Sequence, residues 1–344
     1  MKRKTSNLSF AGKMILLLIL LIVSIPLCAM WGTANISYSD VSRFLLSKVC
    51  PWYSFAGPDY MDSIVWQLRI PRILLGIAVG GGLSICGVSM QALTKNKLAE
   101  PYILGVSSGA SAMAVLVMGI GSGTVFAALG ISGAAFLGAF VSLMLVYTLS
   151  LTNGKSSSNR LLLSGVAVSM VLNALTQFFL LMSSEGATRN ALYWMMGSLG
   201  SARWSTIMLP LMVSIFGAVI TFMLASILNI LSLGDETAVT MGVNVNRIRK
   251  ILLVLTSLIT GTLVAASGCI GFVGLMVPHI SRMLFGSDHR KVVISSFLFG
   301  GIFLIWMDVL ARTLLAPSEI SIGILTAFCG GPFFIWLMRR KKVR

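Results

Sequence analysis

The sequence predicts an all-α integral membrane protein of about ten transmembrane helices, and three observations predict it. Hydrophobic residues fill 56% of the 344 positions, while Asp, Glu, Lys and Arg together fill 10%. A soluble domain carries about 25% charged residues, and one soluble core cannot hide this much apolar surface, so its solvent is lipid. Apolar runs near the ~20 residues that a helix needs to cross hydrocarbon recur along the whole chain. The 26 Lys and Arg fall in short clusters between those runs. The net charge of +16 therefore reads as membrane topology and not as a nucleic-acid surface.

At the start, Lys2, Arg3, Lys4 and Lys13 precede an apolar run to Met30 with no clear A-x-A site after it, so it is read as a retained first helix rather than a secretory signal. The spans expected in order are Met14–Gly32, Ile70–Leu93, Ile103–Gly119, Phe126–Leu149, Leu161–Met182, Ile207–Leu231, Ile251–Ser267, Val292–Leu314 and Ile322–Met338. A shorter tenth, Ile270–Leu284, is rich in Gly and Pro, like the broken segments at transporter cores.

Charge decides between nine and ten crossings. With ten, both termini and the loops Thr94–Glu100, Asn153–Arg160, Ser232–Lys250 and Arg282–Lys291 are cytoplasmic and hold 19 of the 26 Lys and Arg. With nine, the basic tail Arg339–Arg344 faces outward, against the positive-inside tendency. Ten crossings in one transmembrane domain over residues 1–344, with both ends inside, is the expectation.

Other classes find little support. Cys28, Cys50, Cys86, Cys269 and Cys329 are scattered without CxxC spacing, so neither a disulfide framework nor a zinc site is expected. Gly12-Lys13 and Gly154-Lys155 do not sit in a GxxxxGK[ST] frame, so this chain is not expected to hold ATP through a P-loop. His279 follows Pro278 at an expected helix break, but no carboxylate or thiol has ligand spacing to it, and no nucleophile–base pair occurs elsewhere. No catalytic residue, metal or cofactor is expected.

Two stretches invite a functional reading. Trp66-Gln67-Leu68-Arg69-Ile70-Pro71-Arg72 opens the second span on the outer side and puts two arginines three residues apart on one helical face. Lipid headgroups or an anionic partner outside would each explain them. Ser232–Lys250 is the longest inner loop, with Asp235, Glu236 and Thr237 starting a short helix and Gly242 ending it, which suits docking of another protein.

The blocks RIPR, GVSMQALTKNKLAEPYILGVSSGA, LGDETAVTMGV, GFVGLMVPHISRMLFGSDHR, DVLAR and EISIGILTAFCGGPFFIWL run in order from about Ile64 to Met338. Together they resemble the FecCD family of ABC importer permeases. The resemblance implies a type II ABC importer permease fold in the cytoplasmic (inner) membrane, working as a homodimer or close heterodimer with the passage at the subunit interface. It implies two copies of an ATP-binding subunit, docked partly on Leu233, Gly234, Asp235, Glu236, Thr237, Ala238, Met241, Gly242 and Val243. It implies a substrate-binding protein outside, met by Arg69, Arg72 and Arg312, and an inner gate shaped by Asn153–Arg160. The cargo it implies is a ferric siderophore, with haem and cobalamin as alternatives. Two departures stand out: Lys97 replaces the proline usual in NPLA, and Ser321 the proline usual in E-L-P-x-G. The rival class is an ion-coupled secondary transporter, which usually carries a mid-depth carboxylate. Asp308 and Glu319 instead lie near the outer end.

Overall fold

Each long apolar run folds into a helix whose ends are set by a few polar or glycine residues. The computed structural model describes residues 10–340 apart from 33–35, 51, 56, 59, 122–127 and 153–154. The basic residues Lys2, Arg3 and Lys4, the tail beyond Arg340, the start of the expected span Phe126–Leu149 and the first two residues of Asn153–Arg160 thus lie outside the described residues.

The helices are α1 (Phe10–Met30), α2 (Tyr38–Val49), α3 (Ile70–Thr94), α4 (Val106–Ile120), α5 (Gly130–Ser150), α6 (Ser158–Met182) and α7 (Glu185–Met195), followed by α8 (Trp204–Met223), α9 (Ala225–Leu231), α10 (Asp235–Thr240), α11 (Val245–Ser267), α12 (Val273–Phe285), α13 (His289–Thr313) and α14 (Ile322–Arg340). A two-residue antiparallel pair, β1 (Leu151–Thr152) with β2 (Lys155–Ser156), joins α5 to α6. Among the described residues, eight helices are long and apolar enough to cross a membrane, and α4 and α12 are shorter apolar helices at two of the expected positions.

The differences from the expected boundaries have local causes. Asn244 caps α11 by accepting the Arg247 N–H at 3.1 Å, so the helix starts six residues before Ile251 and takes Arg247, Arg249 and Lys250 out of the loop. A π-helical turn over Asp62–Arg69 leads into α3 and lengthens that span outward. Gly105, at φ +81°, separates α4 from a 3₁₀ turn at Pro101–Leu104, which shortens the expected span Ile103–Gly119. Ile207–Leu231 is interrupted at Leu224 and forms α8 and α9. Between spans, where only loop is expected, α2 and α7 form. Ser184 caps α7 by accepting the Ala187 N–H at 3.4 Å.

The centre of the molecule is α3. Of its most apolar window 89% is buried, against 17% for α6 and α14 at the periphery. It packs on α8, α11, α12 and α13. Two crossings are backbone against backbone. A Cβ on Gly80 would overlap the carbonyl oxygen of Gly300 in α13, and one on Gly87 would overlap that of Gly274 in α12. Small residues allow this in lipid, where close packing and not water drives helix association.

The turn between α3 and α4 closes without a proline at Lys97. The Asn96 side chain accepts the Leu98 N–H at 2.9 Å, and its carbonyl accepts the Ala99 N–H at 3.1 Å. The same segment clamps the start of α12: Ile270 N–H donates to the Tyr102 hydroxyl at 3.0 Å and Phe272 N–H to the Glu100 carboxylate at 3.2 Å.

Candidate functional site

With the basic loops taken as cytoplasmic, the sites expected from sequence lie at opposite ends of the bundle. At the outer end, the start of α3 supplies Arg69 and Arg72, and the end of α13 supplies Asp308 and Arg312, four residues apart. The loop after α13 folds back through an Ile320 N–H to Ala311 carbonyl bond of 2.8 Å and brings Glu319 beside them.

These groups form one network. Arg72 Nε donates to both Asp308 oxygens at 2.8 and 3.0 Å, and its Nη1 and Nη2 fork onto Glu319 at 3.0 and 2.9 Å. Arg312 lies 3.3 Å from Asp308 and donates to the Cys28 carbonyl at 2.6 Å. Arg69 donates to the carbonyls of Ala29 and Met30 at 2.5 and 2.9 Å. The last carbonyls of α1 have no partner within the helix and mark the negative end of its dipole, so two guanidinium groups cap it. This accounts for outward arginines that run against the positive-inside tendency. The guanidinium of Arg69 also lies against Gly32, where a Cβ would meet it at 2.6 Å.

All three predicted arginines are thus brought together, but not as free cations at a mouth. Arg69 and Arg312 are 6% and 7% exposed, and the Arg72 side chain 13%. The accessible charge is Glu319, whose side chain is 47% exposed and whose carboxyl is held below its usual range by the Arg72 hydrogen bonds. Sequence reading passed over the pairing roles of Asp308 and Glu319. The four-residue spacing of Asp308 and Arg312 was the available signal.

At the cytoplasmic end, α10 forms where expected. Gly234, at φ +130°, precedes it, Asp235 and Glu236 fill its first turn, and Gly242, at φ +80°, follows it. Ala238 is fully buried, while Leu233, Val239 and Met241 are 67%, 61% and 58% exposed. Asp235 pins the helix, pairing with Lys95 at 2.9 Å and with the buried Arg249 at 3.2 Å. Burial alone would raise the Asp235 carboxyl, but the Lys95 hydrogen bond and the Arg249 charge overcome it and hold it low. Thr237 accepts the Met241 N–H through its carbonyl at 3.1 Å, and Val243 N–H closes on Ala238 at 2.9 Å. A cavity of about 510 Å³ opens beside α10, lined by Val239, Gly242, Val243 and Arg249 among others.

Elsewhere, a cavity of about 780 Å³ between α5, α8 and α11 is lined by apolar side chains and a few hydroxyls, without a titratable group. His279 packs edge-on to Phe333 at 6.0 Å. Among the described residues, no three His, Cys, Asp or Glu side chains come together as metal ligands.

A model of the FecCD transport family matches residues 16–340. The chain is 41% identical over 290 residues to the cobalamin import system permease protein BtuC of Halobacterium salinarum, covering 84% of this chain and 77% of that protein. It is 37% identical over 313 residues to the hemin transport system permease protein HmuU of Yersinia pestis, covering 90% and 92%. A solved inward-facing structure assigned to the metal-chelate type of ABC transporter superposes with a TM-score of 0.80 at 29% identity, covering 95% of this chain and 98% of that one.

Proposed function

The chain belongs to the FecCD transport family, and on that premise we propose that it is the membrane-spanning permease subunit of an ABC importer for a bulky metal chelate in the cytoplasmic membrane. The observation that carries the reading is the match over residues 16–340, which takes in both candidate ends of the bundle. A ferric siderophore is the cargo we put first. Haem and cobalamin are the alternatives, each supported by a relative that handles it.

In this reading the chain performs no covalent chemistry. Two copies of an ATPase subunit dock on Leu233–Val243, where Leu233, Val239 and Met241 offer apolar contact area and Asp235 holds α10 in place. Nucleotide binding then biases the bundle between outward- and inward-facing states. A substrate-binding protein with acidic residues docks over Arg69, Arg72 and Arg312. Three guanidinium groups against two carboxylates leave that end net positive, and an incoming carboxylate competes with Glu319 for the outer fork of Arg72. The passage runs beside α6, in a homodimer or with a related permease. Asn173 and Gln177 stand exposed one turn apart within the membrane-spanning length of that helix, and bare amides facing lipid tails are unfavourable.

Uptake of labelled ferric siderophores, haem and cobalamin in cells lacking the protein tests the reading. Loss of one uptake, restored by the wild-type gene, names the cargo, and normal uptake of all three rejects the substrate class. Uptake that survives inhibition of ATP hydrolysis would mark an ion-coupled transporter instead.

A further inference from the structure

At the cytoplasmic boundary of the bundle, the end of α3, the turn after it, and the junction of α12 with α13 enclose a cavity of about 170 Å³. Its polar lining includes Gln91, Lys95, Lys97, Arg282, Ser287 and His289, with no carboxylate among the lining residues. Two acids beside the cavity are already engaged. Asp235 pairs with Lys95 and Arg249, and Asp288 accepts from the Asn229 amide at 2.9 Å and from the Arg290 N–H at 3.1 Å. Lys95 is therefore compensated, whereas Lys97 and Arg282 have no ion-pair partner among the described residues. Arg282 donates to the side-chain oxygen of Gln91. A guanidinium has five N–H donors to satisfy.

His289 adds an independent sign. It is 4% exposed. Its Nδ1 lies 2.7 Å from Asn229 Oδ1, and the Asn229 amide nitrogen is committed to Asp288, so Nδ1 is the donor in that bond. Nε2, on the opposite edge of the ring, is buried and has no hydrogen-bond partner. With Nδ1 the donor, Nε2 is a bare acceptor, and a buried acceptor without a partner is costly unless a donor such as a ligand hydroxyl meets it.

We propose that this cavity binds one phosphate-type anion, its oxygens held by Lys97 and Arg282 while a hydroxyl carried by the ligand donates to His289 Nε2. Arginine forks and lysine point charges suit phosphoryl oxygens. The volume fits a single phosphoryl group and lies below the ~300 Å³ at which pockets for larger ligands begin. The anion is either the phosphate of an anionic inner-leaflet lipid or free phosphate. Lys13, Arg290 and Lys291 lie at the same end of the bundle, at the depth where basic residues meet headgroups. Lys97 is the residue that departs from the NPLA pattern, and here it supplies a cation that a proline cannot.

The test uses the full purified chain in neutral detergent. Its unfolding temperature is followed against inorganic phosphate, with chloride at matched ionic strength as reference, and against phosphatidylglycerol added to phosphatidylcholine mixed micelles. A ligand that binds only the folded state raises that temperature saturably. The expected result is a saturable rise with at least one probe. Lys97→Ala, at an exposed turn position, should raise the half-saturating concentration about tenfold, Arg282→Lys should weaken binding as well, and Arg160→Ala should leave it unchanged. Saturation by phosphate identifies a soluble anion, and saturation by phosphatidylglycerol alone identifies a headgroup. No saturable rise with either probe, or one that Lys97→Ala leaves unaltered, overturns the proposal, whatever becomes of Arg282→Lys.

Discussion

The two ends of the bundle meet their surroundings in opposite ways. At the outer end the three arginines are largely buried and already engaged, and two of them cap α1. At the cytoplasmic end Asp235, Lys95 and Arg249 fasten α10, and the exposed surface beside it includes the apolar Leu233, Val239 and Met241. A substitution outside should therefore damage the fold before it damages recognition. A substitution on the α10 surface should leave a folded protein that fails to engage its partner.

Asp308→Ala gives the hardest test of the outer half. It leaves Arg72 and Arg312 buried without their shared carboxylate, and removing one partner of a buried ion pair costs about 3–5 kcal/mol. A sharp drop in unfolding temperature in detergent is expected, and an unchanged one would break the contrast. Deeper in the bundle, beside the start of α12, Glu100 makes the corresponding test through pH. Burial raises its carboxyl to about 7, offset in part by the Phe272 N–H. The folded chain then holds a proton that the unfolded chain gives up above about 4.5. Stability is full below that pH and is lost as pH rises from there through 7, by about 3 kcal/mol. Glu100→Gln should abolish that slope in thermal melts taken across the range.

Next in size is Leu233→Asp combined with Met241→Asp. Loss of two apolar anchors from a docking surface costs about 2 kcal/mol, roughly thirtyfold in capture, while the melting temperature of the isolated chain holds. Co-purification of the ATPase subunit reads the outcome, and normal capture would remove α10 from the interface. The smallest effect belongs to Glu319→Gln. Its half-exposed pair contributes at most about 1 kcal/mol to stability. Freeing the Arg72 fork should instead quicken association with an acidic binding protein at low salt, measured by surface plasmon resonance. Slower association would reverse the assigned competition.

Most of the bundle was legible in the sequence because lipid imposes a length and an apolar content on each crossing. The short helix α10 was legible too, since Gly234, Asp235 and Gly242 mark its ends locally. What stayed hidden depends on contacts between distant positions. Arg72 meets Asp308 and Glu319 across 236 and 247 residues of chain, and no local pattern announces that. The arginine motif was visible, but its burial was not, because the carbonyls that receive Arg69 and Arg312 belong to α1. The cationic cavity was hidden for the same reason: Lys97, Arg282 and His289 converge only when α3, α12 and α13 pack.

The glycine crossings set how such a bundle can flex. Where Gly80 meets Gly300 and Gly87 meets Gly274, main chain rests on main chain, with no side chain between them to change rotamer and absorb sliding. The helices α3, α12 and α13 are keyed together like a keel. Motion must be sought at the looser planks of the hull, α6 and α14, whose outer faces grip nothing in their own chain.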